Sequence, residues 1–126
     1  MAVLPSPSTP THELPGTRFT SLATPTRGCV DTAIWQVEIA PGTAATPPHR
    51  MTREEVFVVL EGTAKVLLSG VEERASTGDV IVVPTSVDFT LSNDGDGVLR
   101  MLCCLPVGGQ VEVDGEGDAF TPPWAI

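Results

Sequence analysis

Alternation of apolar and polar residues is the dominant pattern of this chain. Between residues 28 and 40, apolar side chains take every second position, at Ala33, Trp35, Val37 and Ile39. Successive side chains of a strand point to opposite faces, so this spacing predicts a strand with one buried face. The same alternation returns at Val87, Phe89 and Leu91, where Asp88, Thr90 and Ser92 take the opposite face.

Two further segments are apolar on both faces. Val56–Leu60 and Val80–Val83 contain no polar residue, which predicts strands covered on both sides, by the core and by a second layer. A second protomer or the N-terminal arm are the two candidates for that layer. The turn residues Glu61-Gly62 lead into Ala64–Leu68, and this order predicts a hairpin.

Turn residues divide the rest of the chain into short pieces. Twelve glycines and twelve prolines are many for 126 residues, and no segment keeps a helical apolar period beyond about two turns. Turn signals recur at spacings typical of an all-β barrel or sandwich with eight to ten strands. We therefore expect an all-β fold.

The length predicts one domain with two appendages. Residues 1–16 carry four prolines among serines and threonines, which predicts a short, Pro-rich, extended N-terminal arm in which His12 is solvated. Residues 17–113 form the predicted barrel domain. The C-terminal tail, residues 114–126, ends in an apolar stretch with Trp124, so we expect it to dock on the domain.

The charge balance argues against some partners. Sixteen acidic residues against seven basic ones leave a net charge of −9, which disfavours nucleic acid and anionic membranes. The N-terminus shows no secretory signal and no apolar run has the length of a membrane helix. These features predict a cytoplasmic protein with no nucleic-acid or membrane partner.

Cysteines indicate no disulfide framework or metal motif. Cys29, Cys103 and Cys104 make an odd number without C-x-x-C spacing. Cys103 and Cys104 are adjacent, so on a strand they face opposite ways and cannot bind one ion together. Their simplest interpretation is as small buried apolar residues, and the sequence leaves open which of the two faces inward.

The chemistry-bearing residues cluster between Pro41 and Lys65. His49 and Met51 are two residues apart, Glu55 follows four residues later, and Gly42 and Gly62 flank them. These positions resemble the first motif of the cupin superfamily, G-x5-H-x-H-x(3,4)-E-x6-G. One extra residue precedes His49, and Met51 stands where the family has its second histidine.

The second cupin motif, G-x5-P-x-G-x2-H-x3-N, is matched by Gly78, Pro84 and Asn93. Ser86 replaces its glycine and Phe89 replaces its histidine. The resemblance covers roughly residues 28–107 and implies a jelly-roll, double-stranded β-barrel. In metal-binding cupins, two histidines and a glutamate of the first motif join the histidine of the second around one ion. Here only His49 and Glu55 remain, so we expect no cofactor, with a divalent transition metal at those two residues as the alternative.

Alternation then places several side chains in the barrel interior. Trp35, Met51, Phe57, Val59 and Phe89 are the predicted ligand-binding residues, although Met51 and Phe89 also suit a packed core. His49 and Glu55 are the predicted catalytic pair, for acid–base chemistry of the isomerase, cyclase or dehydratase type on a small, largely apolar molecule.

Two other functions stay open. One is a metal-dependent cupin enzyme, a dioxygenase or an isomerase, and the other is a non-catalytic sensor or structural cupin in which His49 and Glu55 are simply satisfied polar groups. Whether the protein is an enzyme is left undecided by the sequence. The doubly apolar strands and the extended arm predict a homodimer.

Overall fold

The structure, a computed structural model, describes residues 3–126. Within that range the chain forms eleven strands and two single-turn 3₁₀ helices, at Pro25–Arg27 and Pro123–Ala125. The strands are β1 (His12–Leu14), β2 (Thr17–Ala23), β3 (Thr32–Ile39), β4 (Arg50–Met51), β5 (Glu55–Glu61), β6 (Thr63–Leu68), β7 (Val71–Ser76), β8 (Val80–Val83), β9 (Phe89–Asn93), β10 (Leu99–Pro106) and β11 (Val111–Glu112). The predicted all-β class is confirmed. None of the helical segments described here could cross a membrane.

All strand pairs are antiparallel, and they form three sheets. The large sheet has the order β1-β2-β3-β10-β5-β8, the second has the order β7-β6-β9, and β11 pairs with β4. The strand order departs repeatedly from the chain order, as it does in jelly-roll barrels, where long connections bring distant strands together. The architecture is a jelly-roll β-barrel, as the sequence predicted.

The inward face of the large sheet supplies most of the core. Cys103 of β10 pairs with Trp35 of β3 and with Phe57 of β5, and Met101 is likewise flanked by Val37 and Val59. All six side chains are buried. The predicted inward face of β3 is therefore correct, and it joins the inward faces of the neighbouring strands in one continuous apolar layer.

The predicted hairpin of β5 and β6 is wrong. β5 pairs with β10 and β8, whereas β6 pairs with β7 and β9 in the other sheet. At Gly62 the chain crosses between the sheets with φ of +86°, and a Cβ there would lie 2.5 Å from the Val98 carbonyl oxygen. The local turn signal therefore marked a real change of direction, but a turn does not decide which strand becomes the partner.

The outward face of the large sheet keeps an apolar surface at the β8 edge. Val80 and Val82 are 55% and 49% exposed, and Val56 and Val58 beside them are half-buried. The arm does not cover this surface, because β1 lies at the opposite edge of the same sheet. Within the described residues the second cover predicted for β5 and β8 is thus not part of this chain.

Both ends of the chain are held against β2. β1 belongs to the predicted arm, whose first two residues lie outside the described residues, and Arg27 donates a hydrogen bond to the Pro5 carbonyl. The Trp124 ring stacks on Phe19 with centroids 3.6 Å apart and planes 6° from parallel. His12 is half-buried with its ring edge-on to Trp124, so the prediction of a solvated His12 is wrong.

The polypeptide of the tail is anchored as well as its indole. Ser21 donates a hydrogen bond of 2.7 Å to the Trp124 carbonyl, and Thr26 donates one of 2.9 Å to the Ile126 carbonyl. Phe120 and Val111 exchange backbone hydrogen bonds of 2.7 and 3.1 Å. The tail therefore packs across one end of the barrel rather than extending into solvent.

Candidate functional site

A cavity of about 390 Å³ lies between the sheets, and we call it the barrel cavity. Its volume falls within the range of about 300–1,000 Å³ that is typical of small-molecule sites. The predicted site residues that line it are Trp35, His49, Met51, Glu55, Phe57 and Phe89. Val59 is buried in the adjoining core and is not among the lining residues.

Glu55 is the buried acidic residue of the cavity. It begins β5, pairs with Val83 of β8, and is 5% exposed. Among the described residues, no hydrogen-bonding or cationic side chain meets its carboxyl group, and burial alone raises its pKa to about 8. Because desolvation disfavours the charged form, Glu55 is mostly a neutral carboxylic acid at neutral pH. It can therefore donate a hydrogen bond into the cavity.

His49 is the basic residue of the cavity, and it offers a hydrogen-bond acceptor where Glu55 offers a donor. Its Nδ1 lies 3.0 Å from the Pro47 carbonyl oxygen. A carbonyl only accepts hydrogen bonds, so Nδ1 carries the proton in the neutral ring and Nε2 is left as an acceptor. Burial lowers the pKa of His49, and the bond to Pro47 opposes that shift. The imidazole is thus a neutral base.

The two groups share the cavity without forming a pair. No salt bridge or hydrogen bond joins His49 to Glu55 among the described residues, and neither contributes to the pKa shift of the other. Their separation keeps an acid and a base apart instead of letting them neutralise each other. A molecule bound between them could meet both.

Phe89 occupies the position of the histidine of the second cupin motif. It is buried, and its ring packs on the His49 imidazole with centroids 4.3 Å apart. Two backbone hydrogen bonds of 3.0 and 3.1 Å join the same two residues. Ser86, at the glycine position of that motif, keeps a positive φ of 64°, so the turn conformation is preserved although the glycine is not.

The residues present do not fit a divalent metal ion. No group of three or more His, Cys, Asp or Glu side chains with suitable placement occurs in the described part of the chain. Met51 offers a thioether, a soft and weak ligand for such an ion, and the Phe89 phenyl offers none. Zinc-type sites use three or four protein ligands, and His49 and Glu55 supply only two.

The structure shows which cysteine of β10 faces the cavity. Cys103 lines the barrel cavity, and Cys104 lies on the opposite face. Burial, followed by the nearby Glu55 and Cys104, raises the pKa of Cys103 well above its ordinary value, so this residue is a neutral thiol. Arg100 forms ion pairs with Glu38 at 3.3 Å and with Glu61 at 2.9 Å, away from the cavity.

Sequence reasoning missed several cavity residues. Phe19 and Met101 line it from the large sheet, and Phe120, Pro122 and Trp124 line it from the tail. Met101 lies on β10, which has apolar residues on both faces, so the sequence did not indicate which of them line the cavity. The only signal for the tail was its apolar, tryptophan-containing end, which predicted docking but no docking position.

A family profile described as "Cupin domain" matches residues 35–105, more than half of the chain. The chain belongs to the cupin family. The match spans β3 to β10 and so includes the strands that carry Glu55 and Phe89.

This cupin chain has both a curated relative and similar solved structures. It is 31% identical over 67 residues to the uncharacterized protein MJ1618 of Methanocaldococcus jannaschii, a match that covers 52% of this chain and 54% of that protein. The chain therefore spans about half the length of this curated relative.

Two solved structures illustrate the shared fold. The polyketide cyclase RemF from Streptomyces resistomycificus has a TM-score of 0.68 at 23% identity, over 82% of this chain and 74% of its own. Salicylate 1,2-dioxygenase from Pseudoaminobacter salicylatoxidans has a TM-score of 0.69 at 20% identity, over 85% of this chain and 31% of its own. At these identities the similarity establishes the fold and leaves the activity open.

Proposed function

We propose that this cupin protein binds a small, largely apolar molecule in the barrel cavity and transfers protons on it, in an isomerisation, cyclisation or dehydration. One observation carries the proposal: an acid and a base, both neutral at rest, line a single apolar cavity, and within the described residues no hydrogen bond or ion pair joins them. Catalytic groups whose environments push their pKa values in opposite directions are typical of acid–base sites.

On an unsaturated ketone, His49 and Glu55 can complete a cycle of proton transfers that returns both residues to their starting protonation states. His49 Nε2 takes a proton from a carbon next to the unsaturated carbonyl system as Glu55 gives its proton to the carbonyl oxygen. A C–H bond breaks, an O–H bond forms, and a dienol results, with His49 as imidazolium and Glu55 as carboxylate. His49 then returns its proton to a different carbon and the dienol O–H returns its proton to Glu55, so that the double bond has moved and both residues are restored.

Binding can be tested with an uncharged fluorescent probe. N-phenylnaphthylamine should bind with enhanced fluorescence, and Leu91→Trp, which places an indole in the cavity, should weaken binding at least about tenfold by occupying the site. Leu67→Trp is the matched control, because Leu67 points outward from the neighbouring strand β6. Equal probe binding by both variants would contradict a site in the barrel cavity.

Proton transfer can be tested separately from binding. Tetralone, an apolar ketone, exchanges the hydrogens beside its carbonyl with deuterium in heavy water, and proton NMR follows the loss of signal. The wild-type protein should accelerate this exchange, and Glu55→Gln and His49→Ala should each slow it by about 100-fold or more. Exchange at the buffer rate despite bound probe would leave a non-catalytic binding protein, the second candidate function.

We also propose that a second copy of this chain covers the outward apolar surface of β5 and β8. The patch consists of four uncharged residues, Val56, Val58, Val80 and Val82, whereas the chain as a whole has a net charge of −9. In a two-fold dimer each copy meets the same patch of its partner, so an uncharged patch avoids the self-repulsion that the rest of the surface would cause. The cytoplasmic location predicted from the sequence stays a prediction.

A further inference from the structure

Every aromatic residue of the chain lines the barrel cavity. The sequence contains four phenylalanines, two tryptophans and no tyrosine. The six residues are Phe19, Trp35, Phe57, Phe89, Phe120 and Trp124. Because they come from the large sheet, from β9 of the second sheet and from the C-terminal tail, no single element explains their convergence. A flat, conjugated molecule gains most from such walls, since stacked and edge-to-face contacts add to simple apolar burial.

No cation lines the same cavity. In the described residues, neither the lysine nor any of the arginines of the chain is among its lining residues. Arg18, Arg50, Arg74 and Arg100 form ion pairs with carboxylates elsewhere. Burial lowers the pKa of His49 and keeps its imidazole neutral at rest, so a bound carboxylate or phosphate would meet no fixed positive charge in an apolar site, and burying an unpaired charge is costly. The surrounding net charge of −9 adds repulsion on approach.

One polar group inside the cavity is placed to hold a neutral ligand. Glu55 is 5% exposed and has no partner among the described residues, so its carboxyl group is free to donate to an oxygen atom inside the cavity. The Glu55 carboxyl oxygens are accessible from the cavity, since Thr24 Oγ1 is the one fully buried side-chain polar atom of the described residues that lacks a hydrogen bond. A ligand acceptor at this place would add a hydrogen bond inside an apolar site, and the gain would be largest for an uncharged ligand that needs no counter-ion.

We propose that the barrel cavity takes an uncharged, planar, conjugated molecule bearing a hydrogen-bond acceptor, such as a carbonyl oxygen, that receives its hydrogen bond from Glu55. This inference rests on the proposed function and narrows its substrate class. It excludes carboxylates and phosphates as ligands and ranks a conjugated ring system above a saturated one of the same size.

Four two-ring compounds test each part of the inference. Acetylnaphthalene is planar, neutral and carries an acceptor; naphthoate has the same rings and a negative charge; naphthalene lacks the acceptor; decalone is a neutral ketone with saturated rings. Quenching of the tryptophan fluorescence reports occupancy, because both tryptophans line the cavity. At about pH 6.5, acetylnaphthalene should bind at least about tenfold more tightly than naphthoate, and several-fold more tightly than the other two.

Variants distinguish the effect of the Glu55 hydrogen-bond donor on ligand affinity from the effect of removing a negative charge near the cavity. Glu55→Leu should lower acetylnaphthalene affinity to that of naphthalene, whereas Glu55→Gln, which keeps a donor, should retain most of the difference. Glu116→Gln is the matched control, since this exposed residue lines the cavity and loses a charge without touching the buried donor. Recovery of naphthoate binding in that control would show that a removable charge near the opening, rather than the cavity, rejects anions.

The possible results distinguish the substrate class from the proposed function. Naphthoate binding as tight as acetylnaphthalene binding, or decalone binding as tight, would overturn the inference while leaving a ligand site in the barrel. Failure of all four compounds and of N-phenylnaphthylamine would overturn both.

Discussion

The imidazole of His49 lies against the phenyl ring of Phe89, with ring centroids 4.3 Å apart. In metal-binding cupins the Phe89 position belongs to a histidine that shares an ion with the residue at the His49 position. Here the two side chains meet through a ring contact, and a third ligand position carries Met51, which is fully buried. At these positions the chain therefore has buried apolar side chains where metal-binding cupins have ligands.

Restoring two histidines should restore a metal site. We expect the double variant Met51→His, Phe89→His to bind Ni²⁺ or Co²⁺ at close to one ion per chain, because it raises the number of nitrogen and oxygen ligands to four. The visible absorption of Co²⁺ and elemental analysis measure this. Each single variant is a control and should bind at least about tenfold more weakly. Stoichiometric metal in the purified wild-type protein would contradict our interpretation of the donor set.

The stability of the protein should fall as pH rises from about 6.5 to about 8. In this range an unfolded Glu55, with its ordinary pKa of 4.5, is ionised, whereas the folded residue, with a pKa of about 8, still holds its proton. The folded state therefore binds more protons, and its free energy of unfolding should decrease by up to about 1.4 kcal/mol per pH unit. Urea titrations across this range measure the slope.

Other groups facing the cavity do not produce this slope. The lowered pKa of His49 costs stability only below its ordinary value of 6.5, because there the unfolded ring takes up a proton that the folded ring resists. Cys103 stays protonated in this range. Glu55→Gln should therefore flatten the dependence, and Glu116→Gln should keep it. A slope that survives Glu55→Gln would refute the assignment.

The Phe19–Trp124 stack should contribute to stability as well as to the cavity wall. Trp124→Ala removes a parallel ring contact at 3.6 Å, and we expect the free energy of unfolding to decrease by about 2 kcal/mol. Chemical denaturation measures the change. Phe120→Ala is the matched control, because Phe120 also lines the cavity but is 47% exposed, and its loss should cost less than half as much. Equal effects would mean that the stack has no special role.

The proposed dimer makes a prediction of its own. Val82→Glu places a charge on the outward surface of β8, and two copies of it would face each other across a two-fold interface. Sedimentation velocity should show a dimer for the wild type and a monomer for the variant. Val71→Glu makes the same substitution at an exposed position of β7 in the other sheet and should leave the dimer intact. A monomeric wild-type protein would end the proposal.

Where apolar and polar residues alternate, the sequence alone determined which residues face inward, because a strand repeats every two residues and that period can be counted. It therefore predicted the all-β class, the buried face of β3 from Ala33 to Val37, and the placement of Glu55 and Phe57 in the interior. The spacing of His49, Glu55 and Phe89 also identified the cupin family and its altered ligand positions.

Only the tertiary structure decided which strands are partners, because a turn such as Glu61-Gly62 reverses the chain without selecting the strand that it will meet. The separation of β5 from β6, the choice of Cys103 over Cys104 as the inward residue, and the docking of Trp124 on Phe19 all follow from contacts between residues far apart in the chain. The pKa of Glu55 belongs to the same class, since it depends on how completely distant side chains exclude water from its carboxyl group.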